Sequence, residues 1–291
     1  MHSRFSQVIV IGYGKTAAEV LDFTAALKKE YGYRLCYIEH EVKPIPNMQI
    51  LCERLQVDYE RITDRETLTC RLLKISNPTL IVSAGNYYLF PKKVVEQEQV
   101  EIINFHNALL PKLPGRNATT WAIYLGEKVS GATWHYVTPN IDDGAIIAQK
   151  AVPVTEDMKA WELSRNIVLA AVELFKSFFG KLLEEHIDGI VQPAGKRKVY
   201  YSYEIPEKGV CSIDFPGEDV YRLLRSVDYG INDVFPPVKI QFTDGKEAVV
   251  RRYAKVPRQT CPDMQTIIDE ENHCLYFPLS DTQELKVFYK S

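Results

Sequence analysis

The sequence contains no apolar run approaching the roughly 20 residues that a bilayer-spanning helix requires. Its first residues, MHSRFSQVIVIGYGK, lack the basic region, long apolar core and small-residue cleavage site of a signal peptide. A cytoplasmic protein without membrane contacts is therefore expected. The six cysteines (Cys36, Cys52, Cys70, Cys211, Cys261 and Cys274) form no C-x-x-C pair, so neither a zinc knuckle nor a disulfide framework is expected, and no metal. Internal repeats and low-complexity tracts are also missing. The net charge of −3 shows no bias toward polyanions. From Tyr201 onward, 11 Lys and Arg stand against 15 Asp and Glu, a balance of −4, while the first 200 residues have 24 against 23, or +1. Such an acidic C-terminal third argues against a nucleic-acid partner.

What is present is an ordinary globular composition over 291 residues, 46% apolar and 25% charged. Short β-branched or apolar runs at QVIVI (Gln7 to Ile11), YRLCYIE (ending at Glu39), TLIVS (after Pro78) and EIINF read as buried strands. Helical stretches fall between them: one following GYGKTA to about Tyr31, then Met48 to Leu55, Arg65 to Ile75 (capped by Thr63 or Asp64) and a short one after GNYYLFPKKVV. This alternation predicts an α/β fold, a Rossmann-like, doubly wound and mostly parallel sheet. A helix from about Ala118 to Leu125 precedes SGATWHYVT and AIIAQKAVPV, expected as an antiparallel pair, and Thr155 is expected to cap a long helix from about Met158 to His186. From Asp188 the texture changes: DGIVQPAGKRKVYYS reads as a linker. Beyond it lie an amphipathic segment, GEDVYRLLRSVDYG, and short strands VKIQFTD, EAVVRRYAKV and LYFPL. The expected domains are 1–190, catalytic, and 200–291, small and β-rich.

GYGKTA, Gly12 to Ala17, invites a nucleotide-binding reading. As a P-loop it fails, because glycine is required where Ile9 stands. As a dinucleotide fingerprint it is better placed, with Glu39 ending the next strand where a ribose-binding acid would lie. Its third glycine position is Ala17, however, and tight strand-to-helix turns use glycine in many folds. The structural reading of this motif is preferred, and a nicotinamide-binding protein is carried as the alternative of a different class.

The richest chemistry lies in Val100 to Ala148. Asn104 and His106 stand two apart on an extended segment, so their side chains leave one face at the C-terminal end of a strand. An amide and an imidazole suit acyl transfer, since both can stabilise a developing oxyanion. A carboxylate from Asp142 or Asp143 could hold the imidazole charged and oriented. Alone, each piece has an ordinary explanation: a satisfied strand end, a hairpin turn, and in His135 a half-buried strand histidine.

In order, NFHNALLPKLPGRNA, SGATWHYV and IDDGAII resemble the catalytic domain of the 10-formyltetrahydrofolate-dependent formyltransferases, which include glycinamide ribonucleotide, methionyl-tRNA and sugar-amine transformylases. Asn104 and His106 match the N-x-H of that family. Gly131, Thr133 and His135 match its G-x-T-x-H strand, and Asp142, seven residues after His135, its aspartate. Ala108 departs from the usual serine of the loop. The resemblance covers roughly Gln7 to His186. It implies 10-formyltetrahydrofolate as formyl donor, with Asn104, His106 and Asp142 catalytic and His135 supporting. Tyr88, Leu89 and Phe90 would line one wall for the pteridine, and Val137, Thr138, Asn140 and Ile141 the other. Ordinary strand-end packing is the alternative for Tyr87, Tyr88 and Phe90.

Among acceptors, methionyl-tRNA is the alternative ranked lower. The second domain is acidic, and EHEVKPIPNMQ, near where tRNA enzymes carry a basic insert, has no basic run. A small-molecule amine is expected, an amino-sugar nucleotide or an amino acid or aminoacyl group of secondary metabolism. LLRSVDYGINDVFPPVKI is similar to a segment of the latter enzymes. Arg225, Asp228 and Tyr229 could face the acceptor, with helix-end packing the preferred reading. A homodimer is compatible with the layout.

Overall fold

The computed structural model describes residues 2–41, 47–193, 195, 197–258 and 265–290. Of the sequence expectations, Cys261 and part of EHEVKPIPNMQ, residues 42–46, lie outside them. Two compact units emerge. One comprises residues 1–118, 129–153 and 164–199, the other residues 119–128, 154–163 and 200–291.

In the first unit, β1 (Gln7–Gly12), β2 (Arg34–Glu39), β3 (Asp58–Arg61), β4 (Thr79–Ala84) and β5 (Val100–His106) are parallel. β6 (Val129–Tyr136) and β7 (Ile146–Pro153) continue the same sheet antiparallel, in the order β3-β2-β1-β4-β5-β6-β7. Strand β1 shows why a continuous β-branched run is needed at the centre. Val8 and Val10 join a cluster with Leu21, Phe175 and Phe179, while Ile9 and Ile11 join one with Leu68, Leu72 and Val94. Successive side chains leave opposite faces, and helices cover both. α1 (Gly14–Tyr31) lies with the first cluster, and α3 (Arg65–Leu73) and α4 (Lys92–Val95) with the second. α2 (Met48–Leu55) precedes β3. Asp64 caps α3 by accepting from the Thr67 amide at 2.6 Å.

Two local expectations change. β3 went unread because DYER is polar, as befits a strand at the sheet edge with partly exposed side chains. The long helix α6 (Ala160–Glu184) starts later than Thr155 would place it. Thr155 instead opens a turn closed by Met158 N–H to Thr155 C=O at 3.2 Å, and Glu162 reaches back to the Lys159 amide at 2.9 Å.

The second unit holds α5 (Ala118–Tyr124) from its second residue on, and an amphipathic α7 (Gly217–Ser226). Its sheet has the order β11-β12-β13-β10-β9-β8, formed by β8 (Val210–Ser212), β9 (Lys239–Gln241), β10 (Glu247–Pro257), β11 (Ile267–Asp269), β12 (Cys274–Pro278) and β13 (Gln283–Lys290). Val220, Leu223 and Leu224 of α7 bury against Ile240, Phe277, Leu285 and Val287. The β-rich character read from the sequence is present, and β8, β11 and β13 add strands the sequence pattern did not show.

Candidate active site

Register across three strands aligns the first polar groups. Ser83 on β4 pairs with Asn104 on β5, which pairs with His135 on β6. Cross-strand partners share a face, and here they form a row: Ser83 Oγ donates to Asn104 Oδ1 at 2.7 Å, and Asn104 Nδ2 lies 3.2 Å from His135 Nε2. The Tyr136 carbonyl, 2.8 Å from His135 Nδ1, can only accept, so that nitrogen carries a proton and Nε2 faces the site. Ser83 thus sets which end of the Asn104 amide presents its N–H groups.

His106, two residues along, is 4% exposed. Its Nε2 donates to the Leu113 carbonyl at 2.9 Å, and its Nδ1 lies 3.3 Å from Asp142 Oδ2. The other carboxylate oxygen of Asp142 lies 3.4 Å from His135 Nε2. Asp142 therefore bridges the two histidines, while Asp143 turns away to Arg197 at 2.6 Å and Asn140 at 3.1 Å. Asp142 is the aspartate that stands seven residues after His135. Both nitrogens of His106 face protein acceptors, which leaves Asn104 with an amide N–H that no described protein acceptor takes.

Burial opposes ionisation of Asp142, but His106, His135 and the Gly115 N–H, which donates to its Oδ2 at 2.7 Å, outweigh this and hold its carboxyl well below the usual range. Burial pulls the His106 imidazole below the ordinary histidine value, against the upward pull of Asp142.

The loop that carries Asp142 is tightly made. Its φ of +46° lies in the left-handed region. Gly144 follows because a Cβ there would sit 1.8 Å from the Tyr136 carbonyl oxygen. Two side chains that sequence reasoning assigned to a linker brace this loop. Arg197 donates to the carbonyls of Asp142 (2.8 Å) and Ile141 (3.3 Å), and Gln192 to those of Asp142 (3.0 Å) and Gly144 (2.8 Å). Polar composition made that stretch look unattached; the only signal was the GKRK cluster itself. Thr133 and Gln149 perform a similar task for the loop after β5. Thr133 Oγ1 donates to Ala108 C=O at 2.6 Å and accepts from Leu110 N–H, and Gln149 Nε2 donates to Leu110 C=O at 2.8 Å. Gly131 is needed where a Cβ would meet Lys150 O at 2.3 Å.

The expected pteridine walls fall on one side of the strand ends, since Phe90 and Val137 pack against the same buried cluster. Leu89 is exposed, whereas Phe90, Val137, Thr138 and Ile141 are half-buried and Asn140 is exposed. The Tyr88 ring is buried, its hydroxyl 2.7 Å from Thr69 Oγ1, so its side chain is core and only its backbone can border a ligand. Leu89, Phe90, Val137 and Ile141 give this side an apolar edge of the kind that suits a flat heterocycle. A separate cleft of about 440 Å³ is lined by Gly14, Lys15, Ala18, Asn47, Met48, Ile50, Leu51 and Arg54, and none of the candidate catalytic residues borders it.

The competing nucleotide reading loses its residues. Glu39 is buried and accepts from Arg61 Nε and Tyr59 OH, both at 3.1 Å, so it is committed to structure. Gly12 is required because a Cβ would lie 2.0 Å from the Ala84 carbonyl oxygen. In the second unit, Arg225 is 8% exposed and donates to Met158 C=O, Asp228 accepts from Tyr253 OH at 2.7 Å and pairs with Lys159 at 2.9 Å, and Tyr229 OH meets Thr120 Oγ1 at 3.0 Å. These are packing roles.

Residues 26–177 match the family model described as formyl transferase. The chain is 26% identical over 67% of its length to the methionyl-tRNA formyltransferase of Acetivibrio thermocellus, covering 57% of that protein. It is 28% identical over 58% of its length to the GDP-perosamine N-formyltransferase of Brucella melitensis, covering 63% of it. The matched part thus spans somewhat over half of each relative's own length. In fold it is similar to the N-formyltransferase from Helicobacter canadensis, solved in complex with folinic acid and dTDP-3-aminofucose, with a TM-score of 0.69 at 14% identity, covering 98% of this chain and 100% of that one. With the family match extending over more than half of the chain, and the Asn104, His106 and Asp142 constellation inside it, the chain belongs to the formyl transferase family.

Proposed function

We propose that this chain moves the formyl group of 10-formyltetrahydrofolate to a primary amine on a small-molecule acceptor, an amino-sugar nucleotide or an amino acid or aminoacyl group. The observation that carries this reading is Asp142 lying between His106 and His135 beside an oriented Asn104 amide at the C-terminal ends of the parallel strands. When bound, the folate supplies an activated formyl carbon and a nitrogen leaving group. Asn104 donates its uncommitted N–H to the formyl oxygen as negative charge builds there. His106 adds positive charge beside that oxygen when it is protonated, and Asp142 favours that form. Asp142, whose carboxyl is held low, takes the proton of the attacking amine only in transit. It passes that proton to the departing nitrogen directly or through water, so the product amide and the released amine balance.

Support for a small acceptor comes from the acidic second unit and from relatives whose names specify amino-sugar nucleotides. Methionyl-tRNA is the second reading, favoured by the relatives acting on that substrate. Two measurements test the proposal. Thermal shifts with 5-formyltetrahydrofolate and with NAD should show stabilisation by the folate alone; stabilisation by NAD alone would overturn it. Tetrahydrofolate release should then be followed over a panel of amino-sugar nucleotides, amino acids, carrier-bound aminoacyl groups and charged initiator tRNA. Useful turnover of the tRNA would replace the small-acceptor reading.

A further inference from the structure

Three loops at the same strand-end edge carry a second constellation. Tyr13 follows β1, Tyr87 follows β4, and Arg116 lies in the loop after β5. The rings of Tyr13 and Tyr87 stack at 4.8 Å with planes 24° apart, and the Arg116 guanidinium carbon lies 4.0 Å from the Tyr87 centroid. A second ring and a guanidinium at those distances have no room on one face, so Tyr87 is sandwiched between them. The two tyrosine hydroxyls are hydrogen-bonded to each other. Tyr87 is nevertheless 51% exposed, so the stack presents an edge to solvent rather than filling the core.

Arg116 is half-buried, and among the described residues its guanidinium makes no hydrogen bond or ion pair, while the Glu41 carboxylate lies within its electrostatic reach. Stacking on an aromatic face fixes a guanidinium while leaving its in-plane N–H fork open, the geometry that grips a carboxylate or phosphate through two bonds. The stack is also wired to the reaction centre. Gly115, the residue before Arg116, donates its N–H to Asp142, and Asn86, the residue before Tyr87, donates to Ser83 Oγ at 3.4 Å, which in turn holds Asn104. Tyr13 N–H donates to Gly85 C=O at 3.1 Å. The proposed folate walls involve none of these three side chains.

We infer that Arg116, seated on Tyr87 with Tyr13 stacked against that ring, is the acceptor anchor: it binds an oxyanion, phosphate or carboxylate, carried by the molecule whose amine is formylated. This rests on the formyl-transfer reading of the neighbouring site. Acceptors bearing an anionic group are then selected over neutral amines of the same size.

The test uses the full chain saturated with 5-formyltetrahydrofolate, into which pyrophosphate, acetate and glucosamine, an amine with no anionic group, are titrated calorimetrically. Wild type should bind pyrophosphate, acetate or both, and glucosamine more weakly. Pyrophosphate alone identifies a phosphate-bearing acceptor, and acetate alone a carboxylate-bearing one. Arg116→Gln should weaken the bound anion by about ten-fold or more, and Arg116→Lys, which keeps charge without the fork, by less. Tyr87→Leu, which unseats the guanidinium, should weaken it too, so the inference does not depend on one variant folding. Failure of both anions to bind wild type, or unchanged affinity in Arg116→Gln, would overturn it. Absence of a folate-induced thermal shift in wild type would instead remove the formyl-transfer reading, so the two failures are told apart.

Discussion

Asp142→Asn is the most incisive single perturbation. The substitution keeps shape, and the new amide oxygen can still accept the Gly115 N–H now 2.7 Å from Asp142 Oδ2. What it deletes is the negative charge 3.3 Å from His106 Nδ1 and 3.4 Å from His135 Nε2. At 3.3 Å and an effective dielectric near 20, attraction between opposite unit charges is on the order of 5 kcal/mol before desolvation is subtracted. Even a third of that lowers the population of protonated His106 more than ten-fold, because 1.4 kcal/mol is a factor of ten. Losing the proton relay as well brings the expected fall in kcat to about 10² to 10⁴. Stability should change little, by about 1 to 2 kcal/mol, since no cavity opens. The assay is tetrahydrofolate release with saturating folate and amine, with the melting temperature as the folding control. Asp143→Asn is the companion: its carboxylate faces Arg197 and Asn140, so its kcat should stay within several-fold of wild type. Near-normal kcat in Asp142→Asn, or equal losses in the two variants, would refute the assignment of the carboxylate.

Arg197→Gln removes donors to the carbonyls of Ile141 and Asp142 and the ion pair to Asp143. It should cost about 2 to 3 kcal/mol of stability, read by urea unfolding, and should lower kcat more than it alters folate affinity. An unchanged kcat would show that the Asp142 loop needs no brace. Gly144→Ala forces a Cβ onto the Tyr136 carbonyl oxygen and should destabilise by more than about 3 kcal/mol, seen as a lower melting temperature or insoluble protein. Acid should destabilise the fold in two stages. His106 has a folded value below its unfolded one, so the unfolded chain binds more protons and stability falls as pH drops below about 6.5. Asp142 is likewise depressed; its contribution is intact above about pH 4 and is lost only below that. Melting temperatures across pH 3 to 8 measure both, and Asp142→Asn should shrink the lower stage, to which the depressed carboxyls of Glu60, Asp157 and Asp228 also contribute; a pH-independent wild type would contradict this account.

The parallel sheet, both of its covered faces and the candidate polar groups of the site were legible because each depends on local pattern. Runs such as QVIVI are apolar on both sides, and the N-x-H and D-x-G spacings hold chemistry at fixed intervals along a strand and a turn. The helix at Arg65 carried its own start signal in Asp64. β3, β8 and β11 left little trace, since short edge strands draw their stability from neighbours.

The site itself shows the same division. Asn104, His106 and Asp142 could be named from their order along the chain. That Asp142 and not Asp143 spans two histidines is decided by the left-handed turn and by Gln192 and Arg197, some fifty residues away in a stretch with no periodic pattern. Ser83 could orient Asn104 only once β4 and β5 were in register, and Tyr13, Tyr87 and Arg116 became neighbours only when three loops met at one sheet edge. Sequence alone determined which groups are present and which face of a strand they leave. Tertiary structure decided which of them touch, because hydrogen bonds and charge pairs act over a few ångströms while the residues that form them are separated by tens of positions in the chain.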